Sequence, residues 1–258
     1  MRIRLVLSLF LALPMFTAAH AEDFQIKDRD VVGLIAALQK SNQTGGPHRI
    51  QLAPGGIYTL QSATSAGLGL PALRSDIVIE GNGAEIRRYA ASRMALIEVA
   101  AEARVVIRNL TLAEGSQGTL RNRGTLLLER VAIVDSFHPD ADAIVTNFGH
   151  LTLRDSLLGW NQVSVSDGDT GLIENHGRLS VQRSRIVGNS ASRAPKQRGD
   201  AAAVLNTGEF VANAIEFEAN ALIDPFGGMA FRAVRNLGQG RADGVSSQQM
   251  IADGFDLP

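Results

Sequence analysis

One pattern of apolar and polar positions occurs four times between residues 122 and 220. Each copy opens with Asn-x-Gly, has mostly apolar side chains at offsets 4, 6, 9 and 11, and closes with a small polar residue at offset 14. Another apolar side chain stands two positions before each opening Asn. The opening residues are Asn122, Asn147, Asn175 and Asn206, and the closing residues are Ser136, Asn161, Asn189 and Asn220.

The offsets predict short strands joined by corners. Offsets 4 and 6 are a pair of alternating positions, as are offsets 9 and 11, so each pair lies on one face of a strand. The step of three between the pairs breaks the alternation and indicates a corner. With the segment before the Asn as a third strand, repeat distances of 25, 28 and 31 residues predict an all-β fold, a right-handed parallel β-helix.

Equivalent residues of successive turns stack in such a fold. We therefore expect Leu126, Leu151, Leu179 and Phe210 to form one buried column. The opening and closing Asn residues should form structural ladders, with each amide bonded to the next turn. We expect a positive φ at the opening Asn-x-Gly corner, which would explain its glycine.

The differences in repeat length all fall in one place. Between a closing residue and the next opening Asn lie 10, 13 and 16 residues, which predicts loops on one side of the solenoid, here called the insertion face. A weaker copy precedes the four, with Ala101 at the opening position and Gly115 at the closing one. A leucine-rich repeat has an overlapping period, but the segments between copies lack helical periodicity.

The chain divides into four predicted segments. Residues 1–21 combine two arginines, an apolar run and Ala19-His20-Ala21, which predicts a secretory signal peptide, with a membrane anchor as the alternative. Residues 22–60 form an N-terminal cap with a helix from Asp28 to Gln43, and residues 61–238 form the β-helix. Residues 239–258 form a C-terminal cap or a loose tail.

The sequence of residues 171–191, Gly-Leu-Ile-Glu-Asn-His-Gly-Arg-Leu-Ser-Val-Gln-Arg-Ser-Arg-Ile-Val-Gly-Asn-Ser-Ala, resembles the right-handed β-helix repeats of exported bacterial proteins. The resemblance covers residues 75–238. The helix, Leu-Ala-Pro-Gly-Gly-Ile-Tyr-Thr-Leu and Ile-Glu-Gly-Asn-Gly-Ala resemble the opening of pectin-lyase-like proteins, where a helix plugs the first turn. The resemblance implies the fold but no single function, because this superfamily includes lyases, hydrolases, epimerases, adhesins and surface modules.

Composition narrows the classes of partner. The chain has 25 basic and 26 acidic residues, and loss of the signal with Arg2 and Arg4 leaves a net charge of −3, which argues against nucleic acid. No later segment is apolar enough to span a membrane. Cysteine is absent from the sequence, so disulfides and thiol catalysis are excluded. We expect an exported monomer of the periplasm or cell exterior.

Acidic residues recur in the insertions. Asp-x-Asp pairs can present carboxylate oxygens to calcium, although they also form ordinary turns, and no full ligand set is visible. We therefore expect no cofactor, with calcium as the alternative. The candidate metal ligands are Asp140, Asp142, Asp167 and Asp169.

The longest insertion holds three cations, Arg193, Lys196 and Arg198, which are of interest for a polysaccharide lyase. Such an enzyme needs a base to remove the proton α to a uronate carboxylate and a cation to stabilise the developing charge. Lys196 and Arg198 are the candidates, with a solvated loop as the alternative. Glycoside hydrolysis would instead use clustered carboxylates, for which Asp142, Asp169 and Asp200 are available.

Trp160 is the single tryptophan and precedes the closing Asn161, where an outward side chain is expected. An exposed indole is a stacking surface for sugar rings, although packing beneath a neighbouring insertion is equally compatible with the sequence. The candidate ligand-binding set is Asp142, Trp160, Asp169 and Asp200. We favour a non-enzymatic module that binds extended polysaccharide or cell-surface glycan along the insertion face. An enzyme acting on acidic polysaccharide and a purely structural surface component are the alternatives.

Overall fold

The computed structural model describes residues 21–65, 67–139, 143–165, 168–193, 200–223, 231–243, 246–247 and 251–252. Over these residues the protein is an all-β parallel solenoid of about seven turns, with one short helix near its N-terminus. The predicted parallel β-solenoid is therefore confirmed. Asp140, Asp142, Asp167, Lys196 and Arg198, as well as residues 1–20 of the predicted signal, lie outside the described residues.

The elements follow one another in a repeating order. The helix is α1 (Val31–Thr44). The strands are β1 (Asp23–Ile26), β2 (Pro47–Leu52), β3 (Ile57–Leu60), β4 (Asp76–Arg88), β5 (Ile97–Val99), β6 (Arg104–Ala113), β7 (Leu120–Asn122), β8 (Thr125–Val134), β9 (Phe137–His138), β10 (Val145–Asn147), β11 (His150–Arg154), β12 (Leu157–Gly159), β13 (Gln162–Val165), β14 (Thr170–Asn175), β15 (Arg178–Val187), β16 (Ser190–Arg193), β17 (Ala201–Asn206), β18 (Glu209–Glu218), β19 (Ala221–Ile223), β20 (Phe231–Asn236), β21 (Gln239–Asp243), β22 (Ser246–Ser247) and β23 (Ile251–Ala252).

Three parallel sheets form the walls of the solenoid. The long sheet has 12 strands and runs β1-β2-β4-β6-β8-β11-β15-β18-β21, with β3, β12 and β22 paired at its side. The seven-stranded sheet runs β23-β20-β17-β14-β10-β7-β5, and the four-stranded sheet runs β19-β16-β13-β9. The chain passes from the seven-stranded sheet to the long sheet, then to the four-stranded sheet, and returns through the insertions.

The predicted columns are present. Leu126 pairs with Leu151, Leu151 with Leu179, and Leu179 with Phe210, and all four side chains are buried. Burying an aliphatic side chain of this size contributes about 1.5–3 kcal/mol relative to leaving it in water. Because every turn repeats this burial, the stacked columns form one continuous apolar core.

Helix α1 contributes to the N-terminal end of this core. The Asp30 side chain accepts a 2.8 Å hydrogen bond from the Gly33 N–H at its start, and Gly45 ends it with φ of 59°. Leu34 and Leu38 are fully buried within the main core cluster. In the described part of the chain, no helix combines the length and apolarity that a membrane span needs.

Corners lie where two columns of residues adopt the left-handed conformation. The first column lies at the break between offsets 6 and 9 and contains Asn82, Asn109, Arg130, Asp155, Arg183 and Ala214. The second lies directly before the closing position and contains Glu114, Asp135, Trp160, Gly188 and Ala219. A positive φ turns the strand within a single residue, so these columns bend every turn at the same places.

The opening Asn-x-Gly corner differs from the expectation. Neither its Asn nor its Gly has a positive φ. A Cβ added at Gly177 would instead lie less than 3.0 Å from the carbonyl oxygen of Gly149, and the same holds for Gly208 over Gly177. The prediction of positive φ at this corner is therefore wrong. Glycine is required because successive turns approach each other too closely for a side chain.

The weaker copy is displaced by two residues at its opening corner. Val99, and not Ala101, pairs with Asn122. A turn closed by the bond from Ala103 N–H to the Ala100 carbonyl, 3.1 Å long, holds the additional residues. Gly115 lies beside the closing column as expected, since its N–H donates to the Ser136 hydroxyl at 3.2 Å.

Candidate functional site

Two buried ladders hold the turns together at the opening and closing positions. In the opening ladder each Asn Nδ2 donates to the Oδ1 of the next Asn, at 2.5–2.7 Å, and also to backbone carbonyl oxygens. It contains Asn122, Asn147, Asn175, Asn206 and Asn236. The closing ladder contains Ser136, Asn161, Asn189 and Asn220. These residues serve the fold, because all of them are buried and their side chains form hydrogen bonds with neighbouring turns.

The outer face of the long sheet carries charges that are paired with one another. Arg108 lies between Glu80 and Glu129, at 2.8 and 2.9 Å, and these contacts raise its pKa, with the Glu80 hydrogen bond as the largest cause. Arg183 binds Asp155 with two hydrogen bonds of 2.7 and 2.8 Å, which lowers the pKa of that carboxyl. Such mutual pairing leaves these groups little capacity for a ligand.

Two predicted site residues do meet at the insertion face. The Asp200 N–H donates to Asp169 Oδ1 at 3.1 Å. Arg235 bridges the two carboxylates, 2.8 Å from Asp169 and 3.1 Å from Asp200, and Arg232 approaches Asp200 at 3.4 Å. Sequence reasoning missed both arginines, although Arg235 directly precedes Asn236, whose Asn-x-Gly matches the opening of the four copies.

This arrangement bears on the calcium and hydrolase candidates. The guanidinium group of Arg235 lies between the two carboxylates, where a cation or a catalytic proton would have to be held. Among the described residues, no group of three or more His, Asp or Glu side chains is placed to hold a metal ion. Asp169 and Asp200 therefore belong to a charge cluster that joins turns of the seven-stranded sheet.

Trp160 lies at a different corner from that cluster. It precedes β13, whereas Asp169 and Asp200 precede β14 and β17, so the four-stranded sheet separates the indole from the carboxylates. Of the six candidate ligand and metal positions, three are described, and of these Asp169 and Asp200 meet while Trp160 lies apart from them.

The indole of Trp160 is held in an exposed position. Its backbone has φ of 55°, and 58% of the residue is exposed. Its Cδ1 and Nε1 atoms lie 2.9 Å from the place where a Cβ of Gly188 would stand. Gly188, itself at φ of 64°, thus leaves room for the indole to lie along the next turn. The expectation of an outward tryptophan agrees with this position.

The Trp160 edge is defined as the column Glu114, Asp135, Trp160, Gly188 and Ala219 with the exposed aromatic residues beside it. Phe137 follows Asp135 by two residues and is 47% exposed. Tyr89 lies at the start of the edge, is 73% exposed, and lines an open pocket of about 380 Å³ together with Glu114. Sequence reasoning did not identify Tyr89, Phe137 or Glu114.

A second exposed aromatic residue, Phe148, has less ring surface available to a ligand. Phe148 is 54% exposed, but its ring stacks on His176 with centroids 4.8 Å apart and planes 16° from parallel. The Arg123 guanidinium carbon lies 6.0 Å from the centroid of the same ring. Because neighbours in the column occupy the ring faces, Phe148 is a useful structural control for Trp160.

No protein-family model matches the chain, and no curated protein or solved structure shows significant similarity to it. The function has to be inferred from the residues and their geometry.

Proposed function

We propose that this protein is an exported, right-handed, pectin-lyase-like β-helix that binds an extended polysaccharide without cleaving it. The observation that carries the proposal is Trp160, an indole held on the outside of the solenoid with more than half of its surface exposed. Right-handed connections are the general rule for parallel strands, which supports this hand. Export and the pectin-lyase-like relation rest on the sequence features and motifs given above.

Aromatic side chains held in this way suit carbohydrate recognition. The apolar face of a sugar ring packs on an aromatic face, and the indole N–H is available as a hydrogen-bond donor. The left-handed backbone of Trp160 sets where its side chain leaves the solenoid, and the glycine at the next turn leaves room for the ring there. Preorganisation of this kind reduces the entropy lost on binding.

Isothermal titration calorimetry with soluble polysaccharides tests the proposal, alongside the fluorescence of the single tryptophan. We expect at least one glycan to perturb the emission of Trp160, and Trp160→Ala to weaken its binding at least tenfold. Phe148→Ala is the matched control, since it removes an equally exposed aromatic from another corner, and it should leave affinity unchanged. Equal affinity for wild type and Trp160→Ala would refute the proposal.

The same titration tests whether calcium takes part. Because Arg235 occupies the two described carboxylates of the insertion face, we expect a calcium chelator to leave glycan affinity unchanged. A chelator-sensitive affinity would restore calcium as a cofactor.

A polysaccharide lyase acting on acidic glycan is the second candidate. The observation that favours it is the presence of Arg232 and Arg235 beside the insertion face, where guanidinium groups can neutralise a uronate carboxylate. Incubation with pectate, alginate or glycosaminoglycans would then release unsaturated products that absorb ultraviolet light. If absorbance rises with wild type and not with Arg235→Ala, the lyase replaces the binding module.

A further inference from the structure

The Trp160 edge contains a second aromatic side chain, Tyr89, which lies one residue beyond the column that contains Trp160. Arg87 pairs with Ala113, Ala113 with Val134, and Val134 with Gly159, so the residues that follow them stack in the same order. Those residues are Arg88, Glu114, Asp135 and Trp160. Tyr89, next to Arg88, therefore lies three turns from Trp160, a distance of about 14 Å at ~4.8 Å per turn.

Hydrogen bonds of Arg88 hold the segment that forms the Tyr89 pocket at this edge. Arg88 Nε donates to the Glu114 carbonyl oxygen at 2.8 Å, and its Nη1 donates to the Ala90 carbonyl oxygen. The first bond joins the segment that carries Tyr89 to the next turn, and the second lies within that segment. The pocket of about 380 Å³ is bounded by Arg88, Tyr89, Ala90, Ala91 and Glu114.

Two carboxylates lie between the aromatic positions. The side chains of Glu114 and Asp135 form no hydrogen bond or ion pair with another residue of the described ranges, unlike the paired acids on the long sheet. Ionised carboxylates accept hydrogen bonds from hydroxyl groups and repel other anions. A chain that passes from Trp160 to Tyr89 must cross both of them.

We infer that the ligand of the Trp160 edge is a neutral, hydroxyl-rich glycan that runs along the solenoid axis and contacts both Trp160 and Tyr89. This inference rests on the proposed function, because it names the ligand class and orientation at the same site. Sugar rings stack at the two aromatic positions, and hydroxyl groups between them donate to Glu114 and Asp135. Glu114 and Asp135 outnumber Arg88, the cation in this column, so a uronic acid polymer is disfavoured relative to a neutral glycan.

The spacing predicts how affinity depends on ligand length. A glycan too short to reach both aromatic side chains binds at one of them, whereas a longer one engages both in a single complex. Calorimetry with a series of neutral cello-, xylo- and manno-oligosaccharides, from disaccharide to octasaccharide, measures this directly. We expect affinity in at least one series to rise at least tenfold once the oligosaccharide spans both positions.

Tyr89→Ala separates the second position from the first. Tyr89 is exposed, so its removal should leave the circular dichroism spectrum unchanged. We expect the variant to bind short oligosaccharides like wild type and to lose the gain with length. Phe148→Ala should retain that gain. A length dependence that survives in Tyr89→Ala would overturn the assignment of Tyr89.

The charge of the ligand is tested by Glu114→Gln and Asp135→Asn together. Wild type should bind oligogalacturonates at least tenfold more weakly than neutral oligosaccharides of equal length, and the double variant should reduce that difference. Equal binding of acidic and neutral ligands by wild type would overturn the inference. If binding depends on Trp160 but on neither length nor charge, this inference fails alone. If Trp160→Ala has no effect on any glycan, the proposed function fails with it.

Discussion

The opening corner and the closing corner of each turn differ in how strongly the structure restricts the residue at that position. At the opening corner, glycine recurs because Gly149, Gly177 and Gly208 lie against the backbone of the preceding turn. Before the closing Asn, the same position holds Glu114, Asp135, Trp160, Gly188 and Ala219 in turn, all with positive φ. Residue identity is fixed where backbone meets backbone and varies where a side chain faces solvent, which makes the closing corner the more suitable place for recognition.

The largest expected effect comes from filling the opening corner. Gly177→Ala would place a Cβ against the carbonyl oxygens of Gly149 and Phe148, and backbone atoms cannot move aside without separating two turns. We expect a loss of more than about 3 kcal/mol of unfolding free energy, or failure to fold. Guanidinium chloride unfolding followed by circular dichroism measures the change.

Gly168→Ala is the matched control for that substitution. A Cβ at Gly168 meets no atom within 4 Å, and its φ is outside the left-handed region. We expect a change within about 0.5 kcal/mol. Similar unfolding midpoints for the two variants would mean that close approach of successive turns is not the reason for glycine at the opening corner.

Removal of one opening-ladder amide should have the next largest effect. Asn175 Nδ2 donates to the oxygens of Asn206, Gly177 and Glu209, and its Oδ1 accepts from Asn147. Asn175→Ala leaves several of these buried groups without partners and should lower the free energy of unfolding by about 2–4 kcal/mol.

The closing ladder allows a direct comparison by the same denaturant experiment. Asn189→Ala breaks bonds to Asn161 and Asn220 and should cost a similar amount, because the interiors of both corners depend on amide ladders. Asn213→Ala is the control, since Asn213 is exposed on β18. A negligible effect at Asn189 would show that only the opening ladder stabilises the stack.

How far the sequence predicts the structure depends on these same constraints. Columns such as Leu126–Leu151–Leu179 were predictable because strand alternation and a fixed offset determine which side chains stack. The role of the corner glycine was misread because close approach and positive φ both select glycine, and the sequence does not distinguish them. Only the structure separates the two causes.

The Trp160 edge was predictable only in part. The sequence predicts an outward Trp160 because this residue directly precedes the closing Asn in a full copy of the repeat. Tyr89 lies in a turn that lacks Asn-x-Gly, and the additional residues between Val99 and Arg104 shift the numbering of the next turn. The position of Tyr89 beside the column of Trp160 is therefore visible only through strand register. Likewise, Arg235 meets Asp169 across turns that the insertions separate in sequence.

A further prediction contrasts a buried hydroxyl with the exposed edge. Tyr58 is fully buried. Its hydroxyl donates to the Ile26 carbonyl oxygen and accepts from the Ala53 N–H, each at 3.0 Å. Burial raises the pKa of this hydroxyl. A raised pKa means that the folded state holds the proton more tightly than the unfolded state. The stability that this provides is complete below the ordinary tyrosine pKa of about 10 and is lost as pH rises beyond it.

Denaturant unfolding at a series of alkaline pH values checks this contribution. We expect the unfolding free energy of wild type to decline above about pH 10. Tyr58→Phe should cost about 1–2 kcal/mol at neutral pH and show a shallower alkaline decline. Tyr89→Phe is the control, because it removes the same hydroxyl group from an exposed position instead of a buried one. Parallel declines in wild type and Tyr58→Phe would contradict the assignment.

The smallest effect on stability is expected at Trp160, with the opposite sign. A side chain at φ of 55° is strained, and glycine adopts this conformation without steric cost, as Gly188 does one turn further on. Because the indole is mainly exposed, Trp160→Gly should raise the unfolding free energy by about 0.5–1 kcal/mol while abolishing glycan binding. Denaturant midpoints and calorimetry on the same preparation measure both effects, and Trp160→Ala, which keeps a Cβ, should gain no stability. A loss of stability in Trp160→Gly would show that the indole supports the fold, whereas a gain would mean that the strained tryptophan is retained for recognition at the closing corner.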